Sequence, residues 1–226
     1  MNQNIVLLPN LYLPPVSYFL YMISSEKVSI EAHETYPKQT FRNRCNILTS
    51  NGVLPLTIPV KKSEFPQQKV RDVRISYDTP WQRVHWNAIV SAYKSSPYFD
   101  FLADDFSPFY EKKYEFLWDF NLDLQNIVLL NLKFALKPDL SDTWIANCEN
   151  NIWDCRNFFD PSNQQNHERI LLDMPYYQVF NQKYPFVPNL SILDLICNEG
   201  RASDFFEKIG TNFKQILFQN SRIKNG

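Results

Sequence analysis

Glycine is scarce in this chain, with four in 226 residues. There is no G-x-G-x-x-G, no P-loop and no G-x-S-x-G stretch, which argues against nucleotide binding through a glycine-rich loop. The four cysteines, Cys45, Cys148, Cys155 and Cys197, contain no C-x-x-C pair. The three histidines, His33, His85 and His167, are too widely spaced to read as a zinc site, so no metal is expected. No uninterrupted apolar run approaches the roughly 18 residues needed to span a bilayer. The opening stretch also lacks a basic segment followed by a long apolar one, so the expectation is a reduced, cytoplasmic compartment, with peripheral contact to a membrane-bound assembly still allowed. Formal net charge is −1, which removes any bulk electrostatic attraction to nucleic acid.

What is present is a well-filled globular composition. Hydrophobic residues make up 44% and aromatics 15% of a chain long enough for one substantial core over 1–226. Ile5-Val-Leu-Leu8 reads as a buried strand, Pro14 and Pro15 suit a helix start before Val16 to Ile23, and Lys27 to Ala32 alternates at period two. That order is a βαβ opening with parallel strands. Ser50-Asn-Gly52 between two β-like runs predicts a hairpin whose second strand, interrupted by Pro55 and Pro59, lies at an edge. A further strand is expected over Val70–Tyr77. Helices are expected over Trp81 to about Lys94 with Asp78 or Thr79 as cap, from Tyr98, over Ser107–Trp118, and over Phe120–Leu136 capped by Asp119 or Asn121. Residues 137 to 176 show no clean period. A short helix from Ser191 to Cys197 and an amphipathic stretch from Ala202 to about Leu217 close the chain. The fold class is α+β: a single domain with a mixed sheet from the N-terminal third packed by helices of the middle and C-terminal parts.

Within the Trp81–Tyr93 helix, a spacing of about 100° per residue sets Trp81, Val84, His85, Ala88, Ile89 and Ala92 on one side. His85 is therefore an imidazole on an apolar face. It is either a satisfied structural group or a general acid or base, since imidazole titrates near neutral pH. Asn43 and Arg44 lie in a polar segment beside a strand, where arginine offers bidentate recognition of an anion. Cys45 follows directly. It is an inert buried thiol unless a base and an anion-stabilising group lie beside it. Tyr12 and Tyr18 read as packing residues whose hydroxyls need partners. Asp194 stands in an S-x-x-D pattern, which makes it a capping group as readily as a catalytic carboxylate.

Several stretches, taken in order, resemble the WbqC-like family of bacterial surface-polysaccharide gene clusters. Tyr12-Leu-Pro14 with Tyr18-Phe19 is similar to the family's Y-x-P segment, Asn43-Arg44 to its N-R pair and Leu56-Thr-Ile-Pro-Val60 to its L-T-x-P-V strand. Trp81-x-x-x-His85 with Tyr93 resembles its central helix. Tyr177 and Gln178, Phe186, Leu190 to Leu195 and Asn198-x-Gly200 resemble its closing segment. Where the family opens Q-P-x-Y, this chain reads Leu8-Pro9-Asn10-Leu11-Tyr12. The resemblance implies a cytoplasmic protein of O-antigen or capsule synthesis acting with other proteins of that pathway. Its ligand would be a small molecule such as an amino-sugar nucleotide. One implied activity is acyl or aminoacyl transfer to an amino sugar, with His85 as general base, Arg44 holding an anionic group, Asn43 or Tyr12 orienting the substrate and Asp194 beside them. The alternatives are a non-catalytic sugar-nucleotide-binding or scaffold protein, and a hydrolase using Cys45 with His85. No cofactor is specified.

Overall fold

The computed structural model describes residues 5–63, 66–134, 136–146, 152–159, 171–200 and 202–209. The βαβ opening is present as expected. Strand β1 (Ile5–Leu8) leads through helix α1 (Val16–Ser24) to β2 (Lys27–Ile30), and the two strands pair in parallel with Ile5 opposite Lys27. β3 (Arg44–Thr49) and β4 (Gly52–Thr57) form the hairpin, turning at Ser50-Asn51 into Gly52, whose φ of 101° favours glycine. β4 pairs on one side only, and its Pro55 sits where no ladder donor is needed.

The α+β class holds, but the strands are distributed differently from the expectation. The hairpin is a separate two-stranded sheet. The main sheet is wholly parallel, in the order β5-β2-β1-β6, and its outer strands β5 (Asp139–Leu140) and β6 (Ile152–Asp154) come from the segment that shows no period. Strands of two and three residues are too short to display a period of two. Val70–Tyr77 is not a strand. It is a 3-10 turn at Val70–Asp72 followed by single bridges from Arg74 and Ile75, although Val70, Val73 and Ile75 do face the core.

Four helices follow in chain order: α2 (Trp81–Tyr93), α3 (Phe99–Phe106), α4 (Leu117–Asn131) and α5 (Ile192–Asn198). Residues 202–209 are also helical, and the rest of the expected C-terminal stretch lies outside the described residues. On α2 the inward face is narrower than predicted, with Val84 56% exposed. Neither Asp78 nor Thr79 caps α2 by its side chain, since Pro80 occupies the cap and Asp78 pairs with the Ser76 hydroxyl. The predicted Ser107–Trp118 helix is a 3-10 turn at Ser107–Tyr110, and α4 begins only at Leu117, so Asp119 and Asn121 lie inside it. No helix among the described residues is long and apolar enough to cross a membrane.

The loop from β1 to α1 is buried throughout, and Leu13 within it takes a φ of 40°. A left-handed leucine costs on the order of 1–2 kcal/mol, which the packing of its neighbours must offset. The amino end of α1 is closed by the C-terminal part of the chain: Val16 N–H donates to the Leu190 carbonyl at 3.0 Å and Ser17 N–H to Asn189 Oδ1 at 3.1 Å. Asn189 is itself left-handed, a conformation asparagine tolerates. Replacing Asn189 with Ala loses both the cap and the backbone fit. It is expected to lower stability by about 2 kcal/mol, and Asn189→Gly by roughly half as much, in urea unfolding.

Candidate functional site

Of the residues nominated with His85, the structure brings Tyr12 against it. The Tyr12 hydroxyl lies 3.0 Å from His85 Nδ1 and 2.9 Å from the Tyr110 hydroxyl. One proton assignment satisfies the chain: Tyr110 donates to Tyr12 and Tyr12 donates to Nδ1, which leaves the proton of the neutral ring on Nε2. Aromatic rings enclose it, with Trp81 edge-on at 5.1 Å from the imidazole and Tyr12 stacked at 5.8 Å. His85 is 4% exposed, and burial lowers its pKa to about 4, so the ring is neutral at physiological pH. Burial pushes the Cys45 thiol up, which is the reverse of an activated nucleophile.

The other nominated residues do not join this group. Asn43 spends its side-chain N–H on the Ile58 carbonyl at 2.9 Å, and Arg44 stands on β3 opposite Thr57. Asp194 accepts from the Tyr176 hydroxyl and Gln178 Nε2, each at 2.8 Å, and burial raises its pKa to about 6. It does not complete the capping box, because the Ser191 N–H goes to the Asn46 carbonyl. Ser191 alone caps α5, accepting from Leu193 N–H. Among the described residues no hydrogen bond links Asn43, Arg44 or Asp194 to His85 or Tyr12. His167 lies outside the described residues, and among those described no three His, Cys, Asp or Glu side chains are grouped to hold a metal ion.

A second polar centre lies at the carboxyl ends of the parallel strands, where ligands of open parallel sheets bind. Glu31 directly follows β2 and is completely buried. One of its oxygens takes the Ser141 hydroxyl at 2.9 Å and His33 N–H at 2.8 Å, and the other takes Arg156 Nη1 at 3.1 Å. Arg156, two residues beyond β6, also binds Asp154 through Nε at 2.9 Å and Nη2 at 2.5 Å. Its guanidinium lies 4.2 Å from the ring of half-exposed Trp144. Arg42 forks onto Glu34 with two bonds of 2.7 Å and reaches the Arg156 carbonyl at 3.2 Å. Burial raises the Glu34 carboxyl, and Arg42 pulls it back. His33 is at the rim, with Nε2 3.1 Å from the Ser141 carbonyl, which fixes the ring proton on that nitrogen.

Sequence reasoning missed Glu31, Glu34, Arg42, Asp154 and Arg156. The available signal was their position just past strand ends, which is visible for Glu31 once β2 is recognised and invisible for Arg156 because β6 has three residues.

Two predictions follow from these environments. The folded His85 imidazole holds a proton less tightly than the unfolded chain, whose ordinary value is 6.5. Its contribution to stability is therefore complete above about pH 6.5 and lost as pH falls toward 4, by about 3 kcal/mol. Urea unfolding between pH 4 and 7.5 should show this acid slope in the parent and a flatter one in H85Q. Arg42→Met leaves Glu34 buried without its cation and is expected to cost about 3–5 kcal/mol. The E34L/R42M pair should cost less than R42M alone in the same assay.

The model of the WbqC-like protein family matches residues 10–204. The chain is also similar to the uncharacterized protein Rv1507c of Mycobacterium tuberculosis (strain ATCC 25618 / H37Rv), with 28% identity over 145 residues. That alignment covers 63% of this chain and 61% of the relative. No solved structure matches.

Proposed function

The chain belongs to the WbqC-like protein family, and from that membership we propose that it is a cytoplasmic binding protein of surface-polysaccharide synthesis, holding an amino sugar or its nucleotide at the carboxyl ends of the parallel strands. The observation that carries this reading is the joining of Glu31, Glu34, Arg42, Asp154 and Arg156, from separate segments, at that edge of the sheet. Desolvating four of these groups, Glu31, Glu34, Arg42 and Arg156, is costly, and hydrophobic replacements commonly serve stability as well or better. A polar ligand gives the arrangement a purpose. Half-exposed Trp144 beside Arg156 adds an aromatic surface of the kind sugar rings rest on.

Binding is preferred to catalysis through His85 because burial lowers the imidazole pKa to about 4 and Nδ1 already faces the Tyr12 hydroxyl, which makes it a poor base. The hydrolase reading is weakened by the buried, protonated Cys45. Acyl or aminoacyl transfer draws on one observation, the His33 ring held at the rim by Ser141 with Nδ1 as its acceptor. That second reading requires H33N to keep ligand binding while losing product, read by mass spectrometry.

The binding reading is tested by a thermal-shift titration with amino sugars and amino-sugar nucleotides. A saturable rise in Tm is expected, at least tenfold weaker in D154N and retained in H85Q. No rise with any of these compounds, or loss of the rise in a folded H85Q protein, would overturn it.

A further inference from the structure

Helix α3 turns an apolar and acidic side to solvent. Phe99, Leu102 and Phe106 pack inward, which leaves Phe101 80% exposed, with Asp104 and Asp105 exposed beside it. A single apolar side chain in water is ordinary, but this one has company. Tyr98 precedes it by three residues, and Asp104 and Asp105 follow it by three and four, the spacings that share one face of a helix. Phe101 N–H donates to the Tyr98 carbonyl at 3.2 Å, which keeps Tyr98 in the same turn. The face continues onto α4 through the 3.0 Å bond from Asn131 Nδ2 to Asp105 Oδ2, where Leu130, next to Asn131, is 70% exposed.

Two features distinguish this side from an ordinary surface. Asp104 and Asp105 lie in the last turn of α3, where the helix dipole disfavours negative charge and no basic residue stands, and no cation among the described residues pairs with either. The aromatic edge is also held in place. Tyr98 N–H donates to the Cys197 carbonyl at 3.1 Å, and its ring lies against Gly200, where an added Cβ would collide with it. The ring is thus backed by main chain while its outer side stays open.

We propose that this face docks a cationic amphipathic helix of another protein, which sets an aliphatic side chain on Phe101 and, one turn away, a lysine or arginine on Asp104 and Asp105. The charge selects the occupant. A second copy meeting it through the same face would bring the unpaired carboxylates of both into one small contact, and an anionic membrane or nucleic acid is repelled for the same reason. The spacing selects a helix: three to four residues of α3 set the carboxylates about 4.5–6 Å along the axis from Phe101, which is the separation of neighbouring side chains on a partner helix. A lysine or arginine stem can lie across the Phe101 ring while its charged end reaches the carboxylates. The face shares no residue with the ionic cluster at the strand ends, so the proposal goes beyond the binding reading and stands without it.

The test uses the full chain and a fluorescein-labelled peptide of about 15 residues built from alanine, leucine and lysine, with each leucine one turn from a lysine. A glutamate-for-lysine peptide and a scrambled peptide of the same composition serve as comparisons. Fluorescence anisotropy should show saturable binding of the first peptide alone, weakening as salt rises. F101S and D104N/D105N should each weaken it at least tenfold, the second also flattening the salt dependence, whereas V84S, which removes an exposed apolar side chain on α2, should leave it unchanged. The replaced side chains are exposed, so near-UV circular dichroism should match the parent in every variant. No saturable binding, equal binding of the glutamate or scrambled peptide, or binding undiminished in F101S and in D104N/D105N would overturn the proposal. Concentration-dependent association of the chain in sedimentation velocity, abolished by F101S, would also overturn it by making a second copy the occupant.

Discussion

The Arg156 guanidinium is the contact on which the sheet edge depends. It joins Glu31 past β2 to Asp154 at the end of β6, and its carbonyl receives Arg42 from the loop before β3. Because β1 lies between β2 and β6, one side chain spans three adjacent strands of the sheet at their carboxyl ends. β6 has only three residues and cannot hold its register by ladder bonds alone, so the ionic contact and the strand position support each other. Breaking one partner of such a pair exposes the other to an uncompensated low-dielectric environment, which makes this edge both rigid and sensitive.

The aromatic cluster around His85 does different work. Tyr12 and Tyr110 use the imidazole as a polar joint linking the β1 to α1 loop and the 3-10 turn before α4 to helix α2. A buried hydrogen-bonded joint of this kind fixes register more sharply than an apolar residue of the same volume. Conformity to the W-x-x-x-H spacing of the WbqC-like family thus has a structural explanation in this chain that requires no proton transfer. The amino end of α1 is likewise committed, with Asn189 and Leu190 occupying the donors that a phosphate would need. A ligand at the strand ends is therefore recognised by side chains and not by that helix terminus.

The βαβ opening, the Asn-Gly hairpin and helix α2 were legible because each is long enough, or its turn chemistry strong enough, for a local pattern to decide it. The outer strands were not, since two or three residues carry no period and their pairing comes from the tertiary structure. The same limit hid the site. His85 drew attention as an isolated imidazole on an apolar face, and both the burial that neutralises it and its partner Tyr12, 73 residues away, come from the tertiary packing. Glu31 and Arg156, 125 residues apart, are ordinary polar residues until the parallel sheet brings them together. Asn121 was read as a cap and is instead a buried amide on α4, a distinction that depends on where the helix begins.

The claim that function resides at the carboxyl ends of the parallel strands and not at His85 is met most directly by an amide chemical-shift map of the full chain titrated with glucosamine. The account predicts that the shifts centre on Glu31, Glu34, Arg42, Asp154 and Arg156 and leave Tyr12, His85 and Tyr110 in place. Shifts centred on His85 and its tyrosines, with the strand ends silent, would contradict it.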